Sequence, residues 1–148
     1  MGVHIIDTLK QYCKNLTSEE LTREFEKELE RLESDKITKE EILADILKRN
    51  LNNYTEIVFC GYGEPTIRLY DILYVAEQVK KQSQIPIRIN TNGHACLIYG
   101  RDVTPDFAGK IDNVSVSLNT ATAEDYVNVC HPDFGKESFY ALIDFAKK

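Results

Sequence analysis

Three short runs of β-branched and aromatic residues alternate with helix-forming segments in the last two-thirds of the chain, and this alternation restricts the fold most. The runs are Glu56–Cys60, Pro86–Thr91 and Asn113–Leu118. Apolar residues recur at helical spacing over residues 67–82 and 137–147, with a weaker pattern over 95–110. Because neighbouring parallel strands need a crossover connection, this order predicts an α/β fold with βαβ units and a parallel three-stranded sheet.

Polar and apolar side chains alternate within the second and third runs. Ile87 and Ile89 point away from the side on which Arg88 and Asn90 lie, and valines alternate with serines in the third run. A sheet between two helical layers is apolar on both faces, so one polar face favours helices on a single side. We therefore expect an open sheet with a concave polar face, as in part of a TIM-type barrel. The alternative is a solvent-facing sheet edge in a truncated fold.

Helical periodicity also marks the region before the first strand. Apolar residues three or four apart predict helices over residues 3–13 and 18–33. Thr38 followed by Glu41 forms a T-x-x-E capping box, which predicts a third helix. We therefore divide the chain into an N-terminal helical segment, residues 1–36, and an α/β segment, residues 37–148.

The net charge restricts the possible partners of the chain, and the cysteine content restricts its cellular compartment. The chain has 148 residues and a formal net charge of −6, and a negative chain repels polyanions. We therefore expect neither nucleic acid nor a membrane as a partner, and no run is long and apolar enough to span a bilayer. The 4 cysteines form no CxxC, CxxxC or CxxxH element. They are expected to be small buried side chains in a cytoplasmic protein.

Small polar residues follow each of the three strands. GYGEP follows the first strand, INTNG ends the second and SVSLN ends the third. Because ligands of α/β proteins bind at the carboxyl ends of parallel strands, we expect these residues to share a pocket, although GYGEP alone could be a tight turn with a solvated glutamate. Amide and hydroxyl groups suit a zwitterionic, ribose-bearing ligand. The candidate ligand-binding residues are Gly61, Gly63, Glu64, Asn90, Asn92, Ser117 and Asn119.

These three motifs, in this order, resemble the second, third and fourth strands of radical S-adenosylmethionine enzymes, where the first motif is usually GGEP. The longer runs EIVFCGYGEPTIRL, PIRINTNGHACLIYGRDVTP and IDNVSVSLNTATAEDY resemble, more narrowly, the TatD-associated radical S-adenosylmethionine proteins. The resemblance covers residues 37–148 and implies S-adenosylmethionine as the cofactor. It implies that the glycines and glutamate of GYGEP hold the amino group of the methionine moiety. Asn90 and Asn92 would meet its carboxylate, and Ser117 and Asn119 its ribose.

One part of the family pattern is missing from this chain. Radical S-adenosylmethionine enzymes bind a four-iron four-sulfur cluster through three cysteines of a CxxxCxxC loop, and no such loop is present. Cys60 lies on a strand that carries no cluster ligand in the family. We therefore expect a fragment of the enzyme core that keeps the S-adenosylmethionine-binding strands, has no catalytic residue and is inactive alone. The alternative is a binding module for a nucleoside-like small ligand.

Residues 1–33 resemble a different family. The run LTREFEKELERL, preceded by IDTLKQY, is similar to a helical segment near the end of the core of type IA topoisomerases. If both resemblances hold, the chain is a chimera, natural or engineered, joined near Ser34. It could then be a helical and α/β scaffold or interaction protein without catalysis. We also expect that the open sheet edge supports a homodimer.

Overall fold

The computed structural model describes residues 37–61 and 63–148. The helices predicted over 3–13 and 18–33 lie outside these residues. Residues Thr38–Lys148 form one compact unit. Its helices and strands, in chain order, are α1 (Lys39–Leu47), β1 (Ile57–Phe59), α2 (Leu69–Lys80), β2 (Ile87–Thr91), α3 (Ala95–Tyr99), β3 (Asn113–Val116), α4 (Ala123–Cys130) and α5 (Glu137–Lys147). Short 3₁₀ turns lie at Leu51–Asn53, Pro65–Arg68 and Thr104–Phe107.

The three strands form one parallel sheet in the order β1-β2-β3. The register aligns Phe59 with Ile89 and Ile89 with Val114. All three strands therefore end at the same edge of the sheet, with a helical connection after each of the first two. This arrangement confirms the predicted α/β fold with a parallel three-stranded sheet.

The hydrophobic core lies on one face of the sheet. Ile87 and Ile89 are both fully buried, and they belong to the clusters that also contain the buried side of α2. Arg88 and Asn90 alternate with them and are only half-buried, on the opposite face. Burying the apolar face of one central strand against a long amphipathic helix removes the largest continuous apolar surface from water. Among the described residues, the opposite face carries polar side chains and lies outside these clusters.

Two element boundaries follow from local hydrogen bonds. Helix α1 begins with the predicted capping box, in which the Glu41 N–H donates to Thr38 Oγ1 at 3.2 Å and the Thr38 N–H donates to Glu41 Oε2 at 2.8 Å. Strand β3 ends at Val116, two residues before its predicted end, because the Leu118 N–H turns back to the Val116 carbonyl at 3.2 Å. Leu118 is consequently 55% exposed instead of packed under the sheet.

Helix α4 was not expected from apolar periodicity. It is only 8 residues long, and its start is set by Thr122, whose hydroxyl accepts the Asp125 N–H at 3.1 Å. The sequence T-x-x-D is an N-cap signal of the same kind as the one that opens α1.

Among the described helices, none combines the length and the apolar content that crossing a bilayer requires.

The cysteines differ from the expectation of buried thiols. Cys60 is exposed, and Cys96 and Cys130 are half-buried; all three are free thiols. Cys60 follows Phe59, which packs against the core, so its side chain turns to the open face of the sheet. The expectation was therefore wrong for Cys60, because a strand's alternation decides burial more than a residue's polarity does.

Candidate functional site

A cavity of about 440 Å³ opens at the carboxyl edge of the sheet. All seven residues selected from the sequence line it, together with Cys60, Pro65 and Thr91. The residues come from the ends of all three strands, which the parallel register brings to one edge. The structure thus brings the selected residues together, while their role in binding a ligand remains a prediction.

The carboxylate of Glu64 joins the ends of β1 and β2. Its Oε1 accepts the Thr66 N–H at 2.9 Å and hydrogen bonds from the hydroxyls of Thr66 at 2.5 Å and Thr91 at 2.7 Å. Its Oε2 accepts the Asn92 N–H at 2.7 Å. Four donors within the protein therefore surround this side chain, and two of them belong to the second strand's end. Glu64 acts first as a positioning residue for the two strand ends.

The loop that carries the first two glycines folds tightly. Gly61 and Gly63 form an isolated antiparallel bridge to each other, and Gly63 has a φ of 104°. A residue with a Cβ rarely adopts that backbone conformation, so glycine is required at Gly63. Gly61 and Gly63 both line the cavity, so these two residues present main-chain groups on its wall.

The end of β2 is held by side-chain bonds to its own backbone. Asn92 Oδ1 accepts the His94 N–H at 2.9 Å, and Thr91 Oγ1 accepts the Gly93 N–H at 3.0 Å. These are the local turns that Asn and Thr favour. The Asn92 oxygen is consequently occupied, so its amide nitrogen is the part of this side chain that can donate to a ligand.

Two further side chains show which polar atoms remain for a ligand. Asn119 Nδ2 lies 3.6 Å from the Cys130 sulfur, so its amide is turned toward α4. Asn90 Oδ1 is buried and has no hydrogen-bond partner among the described residues. A buried acceptor without a partner is costly in an unliganded protein and marks a place where a bound molecule or water is expected.

Two buried side chains, His94 and Tyr126, contact each other beside the candidate site. Tyr126 Oη and His94 Nε2 are 3.1 Å apart, which connects the loop after β2 to helix α4. Burial lowers the pKa of His94, and the nearby carboxylates of Glu64 and Asp133 oppose that effect. Burial also raises the pKa of the Tyr126 hydroxyl. The pair is therefore neutral at physiological pH and acts as a positioning contact.

The cysteine cluster of radical S-adenosylmethionine enzymes does not fit this structure. Within residues 37–61 and 63–148, no three His, Cys, Asp or Glu side chains converge as metal ligands. Cys60 lines the cavity, but Cys96 and Cys130 do not. The described residues therefore supply no set of thiolates for an iron–sulfur cluster.

Some residues of the site were missed by sequence reasoning. Thr66 and Thr91 are buried and donate to Glu64, and Tyr126 reaches His94 from a helix that was not predicted. The position of Thr91 could have suggested a role in the sequence, because Thr91 lies between the two asparagines of INTNG. Its side chain faces the opposite side of the strand from theirs. Its bond to Glu64 spans 27 residues, so no local pattern could have shown it.

The chain is similar, over a short stretch, to archaeal DNA topoisomerases. It is 47% identical over 47 residues to DNA topoisomerase 1 of Methanothermobacter thermautotrophicus, which is 32% of this chain and 6% of that protein. Over 49 residues it is 41% identical to DNA topoisomerase 1 of Pyrococcus horikoshii, covering 33% of this chain and 7% of that protein. The corresponding protein of Methanocaldococcus jannaschii is 37% identical over 49 residues, and the match covers 33% of this chain and 6% of that protein.

The chain spans less than a tenth of the length of these curated relatives. No family model matches the chain. No solved structure matches it either. The similarity agrees with the topoisomerase-like segment seen in the sequence, and the resemblance to radical S-adenosylmethionine proteins remains a prediction.

The exclusion of nucleic acid as a partner is corrected by these relatives. It rested on the net charge of −6 summed over the whole chain. A total charge describes the average surface, whereas the matched stretch covers only about a third of the chain and is related to proteins named DNA topoisomerase. Net charge therefore gave no ground for excluding a nucleic-acid partner.

Proposed function

We propose that the cavity at the strand ends binds a nucleoside-like small molecule of the S-adenosylmethionine type, without cleaving it. The observation that carries the proposal is the convergence of polar groups from three strand ends on one cavity of about 440 Å³. This volume lies within the usual range for small-molecule sites, and a few convergent polar groups are what fixes a ligand's orientation. The order of the motifs along the chain supports S-adenosylmethionine as the ligand.

The hydrogen-bonding state of the lining residues supports a division of roles. The main-chain groups of Gly61 and Gly63, which both line the cavity, would meet the amino group of the ligand. Asn90 and Asn92 offer amide groups to its carboxylate, and Ser117 offers a hydroxyl to its ribose. When bound, S-adenosylmethionine carries a sulfonium with activated carbon–sulfur bonds, and the described residues provide no cluster to reduce it.

Calorimetric titration of the chain with S-adenosylmethionine tests the binding site. We expect Ser117→Ala to weaken binding about three- to tenfold, the effect of losing one hydrogen bond. Asn119→Ala should weaken binding less, because the amide nitrogen of Asn119 is turned toward Cys130. Asn52→Ala is the matched control, because Asn52 is exposed on a 3₁₀ turn outside the cavity. Equal affinities for all four proteins would remove the proposed site.

Anaerobic reconstitution with iron and sulfide tests the absence of redox chemistry. We expect no stoichiometric iron, because the sequence has no CxxxCxxC loop and the described residues have no ligand cluster. Four irons and four sulfides per chain, with the visible absorption of a cluster, would contradict the non-catalytic part of the proposal. Ligand binding would then have to be measured again in the reconstituted protein.

The comparisons favour a second candidate function, in which the topoisomerase-like segment contacts DNA. Residues 1–33 carry the resemblance in the sequence, and the relatives are named DNA topoisomerase. Fluorescence anisotropy with a labelled DNA oligonucleotide tests it in the full chain and in a chain that lacks residues 1–33. We expect binding by the full chain, weakened steeply by salt, and none by the shortened chain. Equal anisotropy in both proteins would contradict this function.

The free thiols support a cytoplasmic location for the protein. Cys60, Cys96 and Cys130 are free thiols, and free thiols are more common in the reducing cytoplasm than in oxidising compartments, where disulfides form. Fractionation of cells that express the chain checks the location, and recovery in a secreted fraction would contradict it.

A further inference from the structure

Backbone N–H groups at the ends of parallel strands are the usual binding place for a ligand's phosphate. In this protein two backbone N–H groups beside the cavity are already engaged by a carboxylate. The Thr66 N–H and the Asn92 N–H donate to the two oxygens of Glu64, at 2.9 and 2.7 Å. The hydroxyls of Thr66 and Thr91 complete the same set of four donors. An internal carboxylate therefore takes the place that an external anion would take.

Among the described residues, no cation lines the cavity to compensate a second anion. Glu64 is the one charged residue among the described residues that line it. The nearby Arg88 is ion-paired with Glu56 at 2.8 Å and does not line the cavity. His94, which lies close to Glu64, is held neutral by burial, which lowers its pKa. The described lining of the cavity therefore carries the charge of one carboxylate.

The helix that follows β3 also offers no free anion site. At the start of α4 the Asp125 N–H donates to the Thr122 hydroxyl at 3.1 Å, and that hydroxyl donates to the Asp125 carboxylate at 2.9 Å. Glu124 and Asp125 both lie in the first turn. Acidic side chains there offset the positive end of the helix dipole.

From these contacts we propose that Glu64 sets the charge class of the ligand, so that the cavity accepts neutral or cationic nucleosides and excludes phosphorylated ones. The inference rests on the proposed nucleoside site and adds its specificity-determining residue. Glu64 does so by filling the backbone N–H groups that would hold a phosphate and by repelling a second negative charge. Adenosine and S-adenosylmethionine fit this class, and adenosine monophosphate does not.

Calorimetry with adenosine and adenosine monophosphate measures the discrimination in the full chain. We expect the wild-type protein to bind adenosine about ten- to a hundredfold more tightly, the range for two like charges a few ångströms apart in a partly solvated site. In Glu64→Gln the discrimination should fall to less than about threefold, since the side chain keeps its size but loses its charge. Glu77→Gln is the control, because Glu77 is on α2 away from the cavity and the net charge changes equally.

Inorganic phosphate provides a test that does not depend on nucleoside binding. We expect phosphate to raise the melting temperature of Glu64→Ala, in which the four donors are released. The melting temperature of the wild-type protein should be the same in phosphate as in a sulfate-free salt of equal ionic strength. Equal stabilisation of both proteins by phosphate would overturn the inference. If Glu64→Ala does not fold, stabilisation of the wild-type protein by phosphate still overturns it.

The outcomes separate this inference from the proposed function. Equal affinities of the wild-type protein for adenosine and its monophosphate would overturn the role of Glu64, as would unchanged discrimination in Glu64→Gln. A wild-type protein that binds neither adenosine nor S-adenosylmethionine would refute the nucleoside site. In that case the phosphate experiment alone decides whether Glu64 occupies an anion site.

Discussion

Replacing Gly93 with alanine is the most informative perturbation of the strand ends. Gly93 follows Asn92 at the end of β2 and has a φ of 78°. A Cβ at this position would lie 3.0 Å from Val116 Cγ1, 3.1 Å from Leu142 Cα and 3.2 Å from Leu142 Cγ. Two of these atoms belong to side chains that could shift, but the third is backbone of α5 at the buried residue Leu142. The methyl group can therefore be accommodated only if the β2 loop or α5 moves.

The cost has two parts, which the structure allows to be separated. A left-handed conformation costs a residue with a Cβ about 1–2 kcal/mol. Forcing an extra methyl group into a packed region costs about 1–3 kcal/mol more. Gly109→Ala isolates the first part, because Gly109 has a φ of 71° and no atom lies within 4 Å of the position that a Cβ would take there. Gly93→Ala should therefore destabilise the protein by about 1–3 kcal/mol more than Gly109→Ala does.

Urea denaturation followed by circular dichroism measures the free energy of unfolding of both variants and the wild type. The slope of the transition must be equal in all three proteins for the comparison to hold. If Gly93→Ala and Gly109→Ala agree within about 0.5 kcal/mol, the close approach of the β2 loop to α5 is refuted. A larger loss in Gly93→Ala supports the packing that holds Asn92 at the cavity.

Two further predictions concern charged groups around the sheet. Burial lowers the pKa of His94 below its ordinary value of 6.5, so the unfolded chain takes up a proton that the folded chain resists. The free energy of unfolding should therefore be greatest above about pH 6.5 and fall as the pH falls below it, and His94→Gln should remove that part of the pH dependence; an unchanged profile would contradict it. Asp112 accepts the Ile87 N–H at 2.6 Å and Lys80 Nζ at 2.5 Å, and Lys80 lowers its pKa most. Asp112→Asn should lower the melting temperature more than the control Asp45→Asn on α1, and equal melting temperatures would show that Asp112 does not hold the start of β2.

The arrangement of the sheet could be predicted because it depends on local patterns that repeat. Alternation at Ile87 and Ile89 predicted which face of β2 packs against helices, and both side chains are fully buried. The capping box of Thr38 and Glu41 predicted the start of α1, where both of its hydrogen bonds are present. Such signals lie within four residues of each other, so a single sequence contains them completely.

The sequence predicted that the seven selected residues lie around one cavity, but it did not predict the contacts between them. The residues at the ends of three strands could be placed at one edge, because parallel strands share their direction. The bonds of Glu64 to Thr91 and Asn92 join residues that are 27 and 28 positions apart, and they depend on how far each loop extends beyond its strand. The exposure of Leu118 depends in the same way on one turn after Val116. Tertiary distances of this kind cannot be obtained from periodicity.

The contacts of Glu64 connect the stability of the strand ends to the specificity of the cavity. One carboxylate joins the loop after β1 to the end of β2 and also supplies the charge that the cavity presents. A phosphorylated ligand would compete with Glu64 for the Thr66 and Asn92 N–H groups, and displacing Glu64 would break its bonds between the loop after β1 and the end of β2. A neutral or cationic ligand leaves these bonds intact and uses the remaining polar atoms. If Glu64 sets the charge class of the ligand as we propose, that preference follows from the way in which the two loops are held together.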